Sequence, residues 1–347
     1  MSLFYCTVEQ VKRAAQINGP DEEPSIKRLL ESASREVERS LNRRFYPTTA
    51  IKYFPYPSST GPCNYRYWLD DDLIEVILLV SGGTTILAAD YFKEPVNYGP
   101  PYNRIEIDLA SAAAWESGDT HQRAIEVTGR WGYCEISIAA GALAEADDGT
   151  EVALDVTDSS LIGVGDLILI GTERMIVTEK TLLDTTTEVN MGAHIAADEA
   201  VVAITIDGVG AVCQGETITI DAERMLVEGV AGAVLTVKRA YDGSVLASHL
   251  DNADLYAPRT LTVERAAVGT TAAAHADKTA ITKNVPPSLI SELVLAEVIY
   301  GATQEKGSFA LTAGAGEAVR EISGKGIADV RKRADDAYRR TRGPRSI

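Results

Sequence analysis

Residues 21–47 read DEEPSIKRLLESASREVERSLNRRFYP. Apolar side chains recur at Ile26, Leu29, Leu30, Ala33, Val37 and Leu41, one stripe of a 3.6-residue period, and the opposite face is charged. The spacing predicts a helix with a Glu31–Arg35 surface pair, stopping near Asn42 because Pro47 restricts the chain beyond it. Covering each large side chain of that stripe contributes about 1.5–3 kcal/mol, so the helix needs a partner surface. Comparable patterns occur only in a short stretch before it, Thr7 to Ile17, and in two at the far end of the chain. About 240 residues of mainly strand-like sequence lie between, so the two ends are expected to meet.

Outward from this stretch, Thr7-x-x-Gln10 fits a capping box, and Asn18-Gly19-Pro20 ends the first helix. After Pro47 the period drops to two: Ile51–Phe54, Tyr65–Trp68, Leu73–Val80, Ile105–Leu109 and Ala124–Thr128 read as short strands of a small sheet, with Ser81-Gly82-Gly83 as a hairpin turn. From Ala139 the composition shifts to Ala, Gly, Asp and Thr, and the chain repeats itself. Gly165-Asp-Leu-Ile-Leu-Ile-Gly-Thr-Glu-Arg-Met-Ile-Val177 recurs as Gly215-Glu-Thr-Ile-Thr-Ile-Asp-Ala-Glu-Arg-Met-Leu-Val227, each a hairpin signature. A second repeat has another spacing: Leu235-Thr-Val-Lys-Arg239 with His249 ten residues on, and Leu261-Thr-Val-Glu-Arg265 with His275 ten residues on. Pro286-Pro287-Ser288 then opens a helix with a wide apolar face, and Ile327–Thr341 forms a last, basic one.

Charge divides the chain. Of 50 acidic and 33 basic residues, residues 143–257 hold 21 acidic and 5 basic, which marks a separate, solvated module and disfavours nucleic-acid binding by it. Cys6, Cys63, Cys134 and Cys213 lie far apart without ligand spacing and are expected as isolated thiols. No basic start followed by an apolar run marks a secretory signal, and no apolar run approaches the roughly 18 residues of a membrane span, so a soluble protein without membrane contact is expected.

Catalytic patterns are missing. His249, Asp251, Asn252 and Asp254 cluster in sequence but lack the spacing of a calcium or zinc loop. His194, His249 and His275 read as structural histidines at similar places in the repeats, since none has a second ligand at metal spacing. No nucleophile elbow, phosphate loop or dinucleotide fingerprint occurs, so no enzyme, cofactor or metal is expected. Trp131 is expected as a core anchor, with Leu29, Leu30, Val37, Leu293 and Ile299 on the helices. Arg43-Arg44 suit a helix C-terminus. Seven basic residues within Arg331–Arg345, opposed only by Asp335 and Asp336, exceed what a helix end needs and point to an acidic surface or phosphate.

Tyr5-Cys-Thr-Val-Glu-Gln-Val-Lys12, the 26–47 stretch ending Arg-Arg-Phe-Tyr-Pro47, Pro100-Pro-Tyr-Asn-Arg-Ile-Glu-Ile107 and Val127-Thr-Gly-Arg-Trp-Gly-Tyr133 together resemble the head-to-tail connector (adaptor, or head-completion) proteins of long-tailed bacteriophages. The likeness covers roughly residues 3–135 and 285–342. It implies a structural virion protein at the head-tail junction: a dodecameric ring beneath the portal protein that extends the DNA channel, receives the head-tail stopper or tail-completion protein, and passes viral DNA without reading its sequence. Portal docking then falls to Arg331, Arg333, Arg339, Arg340, Arg342 and Arg345. The expected fold class is α+β: a helical bundle from both termini with a small antiparallel β-element, and an inserted domain rich in β-hairpins. Residues 1–140 and 285–347 would form the core and 141–284 the acidic insertion, which departs from the family pattern and is expected to project from the ring's rim. A tail component that binds a receptor or carbohydrate through the β-modules is the alternative; residues 143–257 contain only Tyr241 and Tyr256 as aromatics, poor material for sugar stacking.

Overall fold

A computed structural model describes residues 3–57, 64–190, 192, 194–306, 312–313, 320–321 and 325–340. Helix α1 (Val8–Ala15) starts in the expected capping box: Gln10 N–H donates to Thr7 Oγ1 at 3.2 Å and Thr7 N–H to Gln10 Oε1 at 2.9 Å. Helix α2 (Glu23–Leu41) has Pro24 in its first turn and ends at Asn42 in the left-handed conformation. Its stripe buries Ile26, Leu30, Ala33, Val37 and Leu41, with Leu29 half-buried against the same core. Arg35 turns away from Glu31. Its guanidinium reaches Glu38 at 2.8 Å, Tyr46 Oη at 3.2 Å and Leu3 O at 2.9 Å, because the N-terminal segment crosses that face of the helix.

The ends of the chain do meet. Helix α3 (Ser288–Lys306) lies against α2, and α4 (Lys325–Tyr338) against α3. Leu293 is buried, whereas Ile299 is half-buried and its neighbour Val298 fills the core instead. An aromatic lock closes the layer: the ring of fully buried Phe45 meets Tyr5 at 5.7 Å, Tyr133 at 5.4 Å and Tyr338 at 5.6 Å. Tyr338 thus ties the last helix to residues near the start of the chain.

The first sheet is not small. It joins β1 (Thr48–Phe54), β2 (Arg66–Ser81), β3 (Thr84–Ile86), β4 (Tyr91–Glu94), β5 (Tyr102–Ile107) and β6 (Ile125–Trp131) in the order β1-β6-β2-β5-β4, with β3 beside β2. Tyr65–Trp68 and Leu73–Val80 do not form two strands: Arg66–Ser81 is one long strand whose register shifts after Trp68, Leu73 and Val76 bend it around its core. Trp131 sits in that core and donates from Nε1 to Ala50 O at 3.0 Å.

The second sheet has ten strands. They are β7 (Ser137–Ala142), β8 (Ala153–Asp155), β9 (Leu167–Ile170), β10 (Glu173–Glu188), β11 (Ala203–Thr205), β12 (Thr217–Ile220), β13 (Glu223–Ala231), β14 (Val234–Lys238), β15 (Asp254–Glu264) and β16 (Ala280–Asn284). A short pair, β17 (Thr312–Ala313) and β18 (Arg320–Glu321), precedes α4. The order of the large sheet, β11-β14-β13-β12-β15-β10-β9-β16-β7, exposes a nested duplication. The first module combines residues 137–177 with 261–284; the second, residues 189–255, is inserted between them on the β10–β15 ribbon. Equivalent residues fill the two cores, Ile168, Ile170, Met175, Val177, Leu261 and Val263 in one and Ile218, Ile220, Met225, Val227, Leu235 and Val237 in the other.

These sheets overturn the expected fold class. Strand exceeds helix by 38% to 21%, so the chain is a mainly β protein with two large antiparallel sheets and four helices among the described residues, not a helical bundle bearing a small β-element. The short strand signals merged because their partners lie far off in sequence, and pairing across those distances extends them into long ladders. The insertion also packs on the helices: Val164, Leu167, Ile176, Ala267 and Val268 of its first module belong to the helical core.

Candidate functional site

Each module is built around one buried glutamate. In the second, Glu223 closes the hairpin between β12 and β13, and Arg239, one residue past β14, faces it with two parallel bonds: Nε donates to Oε1 and Nη2 to Oε2, both at 2.8 Å. Ala240 N–H and Ala247 N–H also donate to Glu223, each at 2.9 Å, and His249 Nε2 lies 2.9 Å from it. The first module repeats this atom for atom. Arg265 grips Glu173 at 3.2 and 2.7 Å, Ala266 and Ala273 N–H donate at 2.9 and 3.0 Å, and His275 Nε2 stands 3.1 Å away. Burial alone would raise both carboxyls; the arginine, the two amides and the histidine outweigh it and hold each at about 2.

The local sequence explains the construction. Arg-Ala-x-x-Gly-[Ser/Thr] after each strand forms a tight turn in which Ala240 and Asp242, or Ala266 and Val268, take left-handed backbone angles. Ser244 Oγ and Thr270 Oγ1 then accept the N–H of Arg224 and Arg174, each at 3.0 Å, which fastens the turn to the hairpin. The modules differ in their second carboxylate. Asp221 lies 2.7 Å from His249 Nδ1, whereas Gly171 occupies the equivalent place beside His275, and Asp147 instead accepts from Arg265 at 2.7 Å.

The turns also dock differently on the N-terminal part of the chain. Val268 is buried in the helical core, and Gly269 passes so close to Thr49 that a Cβ would come within 1.9 Å of its carbonyl oxygen. Its counterpart Asp242 makes a polar contact instead, with Lys12 Nζ at 3.0 Å and Gly19 N–H at 3.0 Å.

The histidines expected at similar places are therefore only partly equivalent: His249 and His275 match, but His194 is exposed and its neighbour Ile195 pairs with His249. Asp251 accepts from Gly192 N–H and Asn252 adopts a left-handed turn, outside the glutamate cluster. Among the described residues, Asp158, Cys213 and Glu216 approach one another closely enough to share a cation. Glu216 is already spent, with Oε1 accepting from Ser159 N–H and Arg259 Nε and Oε2 from Cys213 N–H and Arg259 Nη2, and burial pushes the Cys213 thiol up to about 11. Cys6 and Cys134 are also free thiols; Cys63 lies outside the described residues.

The basic C-terminal residues part into two groups. Arg331 pairs with Glu297 of α3, Arg333 with Glu292 at 3.0 Å and Arg339 with Asp335 at 3.3 Å, and their side chains remain 53%, 57% and 56% exposed. Arg340 is 14% exposed and committed inward, donating to Asp72 at 3.0 Å and to Leu69 O at 2.7 Å while its own N–H donates to Leu41 O at 2.9 Å. Arg342 and Arg345 lie outside the described residues. Sequence reasoning saw both repeats but missed that they are two halves of one unit. The equal ten-residue interval from arginine to histidine, beside a glutamate repeated in Glu-Arg-Met, was the signal.

No helix among the described residues is long and apolar enough to cross a membrane. No family model, no curated protein and no solved structure matches the chain.

Proposed function

We propose that this protein is a structural component of a phage virion, an adaptor at the head-tail junction that assembles as a ring beneath the portal and hands the DNA channel on to the stopper or tail. The reading starts from the family resemblance of residues 3–135 and 285–342. The structural observation that supports it best is the layout of α4: rooted by Tyr338 and Arg340 in the body of the protein, it presents Arg331, Arg333 and Arg339 at the surface. Each is paired there with an exposed or half-buried carboxylate, Glu297, Glu292 or Asp335, for which an acidic partner surface would compete, and on a firmly anchored helix such charge sets orientation and association rate. Arg340 drops out of the docking set, because its guanidinium holds Asp72.

Sedimentation of the full chain with portal rings of the same virus tests this. Co-migration as a stacked ring, lost in the combined Arg331→Glu, Arg333→Glu and Arg339→Glu variant at physiological salt, is the expected result. Unaltered co-migration of that variant would remove the docking role, and a chain that ignores portal altogether would remove the adaptor.

A further inference from the structure

Between α1, the 159–164 loop, β10, β12 and the turn at 241–243 lies a cleft of about 1370 Å³. Its charged groups differ in how fully they are neutralised. Most of its carboxylates are taken: Lys12 reaches Glu23 at 2.9 Å and Asp242 at 3.0 Å, Lys283 reaches Asp166 at 2.7 Å, and Arg259 holds Glu216 at 2.7 Å. The cations are less fully spent. Among the described residues, Arg13 and Lys238 line the cleft with no carboxylate at ion-pair distance, and Lys27 reaches only the carbonyl of Thr178 at 3.3 Å. Half-buried Lys180 likewise bonds only carbonyls, Ser159 O at 3.1 Å and Ile162 O at 2.6 Å. Among the described residues, two carboxylates of the cleft have no cation at ion-pair distance: Glu9, which accepts from Val164 N–H, and Glu179.

The cleft thus carries a positive excess inside a chain of net charge -17. The same lining includes Ile138, Leu161 and Leu182, each about half exposed to solvent. We propose that this cleft binds an extended acidic segment of a partner protein, its carboxylates on Arg13, Lys27 and Lys238 and its apolar side chains on Ile138, Leu161 and Leu182. Complementary charge selects the sign of the partner, and the apolar wall supplies the area that charge alone lacks. A nucleic-acid strand fits poorly, since its continuous phosphates would pass Glu9, Glu179 and the acidic modules around them. The proposal does not depend on the adaptor reading.

Fluorescence anisotropy with the full chain tests it, using labelled peptides of about ten residues that alternate Asp or Glu with Leu or Ile, a length spanning roughly 30 Å when extended. A matched set with Lys replacing each acid is the control. The acidic set is expected to bind saturably and more weakly as salt rises from about 50 to 200 mM. The Arg13→Glu, Lys27→Glu and Lys238→Glu triple variant should lose about tenfold or more in affinity with an unchanged circular dichroism spectrum. Leu161→Ser with Leu182→Ser should weaken binding while leaving its salt dependence intact. Equal binding of both peptide sets, no saturable binding of the acidic set, or full binding by the triple variant would each overturn the proposal. So would self-association of the wild-type chain that the triple variant abolishes, since the occupant would then be the acidic insertion of a second copy.

Discussion

Replacing Glu223 with alanine removes the acceptor on which the second module converges. Arg239 would keep its guanidinium inside the protein, 1% exposed, without a counter-charge. Breaking a buried ion pair from one side costs about 3–5 kcal/mol. Ala240 N–H, Ala247 N–H and His249 lose their acceptor as well, at about 1–3 kcal/mol for each group that stays dry. Water entering the space left by the side chain offsets part of this, so a net loss on the order of 5 kcal/mol is expected, comparable with the whole stability of an ordinary domain. The loss should be local, because the second module has its own core and the first has its own Glu173–Arg265–His275 cluster. Native-state hydrogen exchange read by mass spectrometry checks this. Peptides within 189–253 should lose protection while β8, β9 and residues 261–281 keep theirs. A change below about 1 kcal/mol in the exchange free energy of β13 and β14, or equal loss in both modules, would refute the glutamate-centred account.

Glu173 and Glu223 have folded values of about 2, below the ordinary carboxylate range, so their contribution is present above about pH 4 and is lost as pH falls through 2; acid titration followed by circular dichroism should place strand loss in that window. Arg340→Glu should set a carboxylate against Asp72 and lower stability by about 3–5 kcal/mol in chemical denaturation, whereas Arg331→Glu, Arg333→Glu and Arg339→Glu should each cost about 1 kcal/mol or less. Gly269→Ala must move the Thr49 carbonyl and should lower the melting temperature by several degrees. At the matching position Gly243→Ala, where the nearest atom is the Asn18 Cβ at 3.3 Å, backbone strain of about 1–2 kcal/mol and a slight shift of Asn18 are expected. Equal melting temperatures for the two alanine variants would contradict the difference in docking.

The legible parts of the sequence were those governed by near neighbours. The Thr7–Gln10 box, the α2 stripe and the Asn42 stop depend on contacts within a few residues, and each can be read from spacing. The Glu31–Arg35 pair is replaced by a pair with Glu38, one turn on, and by a non-local draw that spacing does not show, since Leu3 and Tyr46 accept from the same guanidinium. The inward commitment of Arg340 is hidden for a similar reason: nothing in a run of basic residues distinguishes an arginine at the surface from one that finds Asp72 far back in the chain.

By itself the sequence determined the helices, the hairpin repeats, the concentration of acidic charge and the need for the chain ends to come together, because periodicity, turn chemistry and composition are local properties. Tertiary structure alone decided that the two repeats interleave, that Glu173 and Glu223 are the centres of equivalent modules, and that strand dominates the fold. Those outcomes rest on pairings such as Arg265 with Glu173, across a whole inserted module, and a buried carboxylate's partners are fixed by where the backbone returns in space rather than by their distance along it.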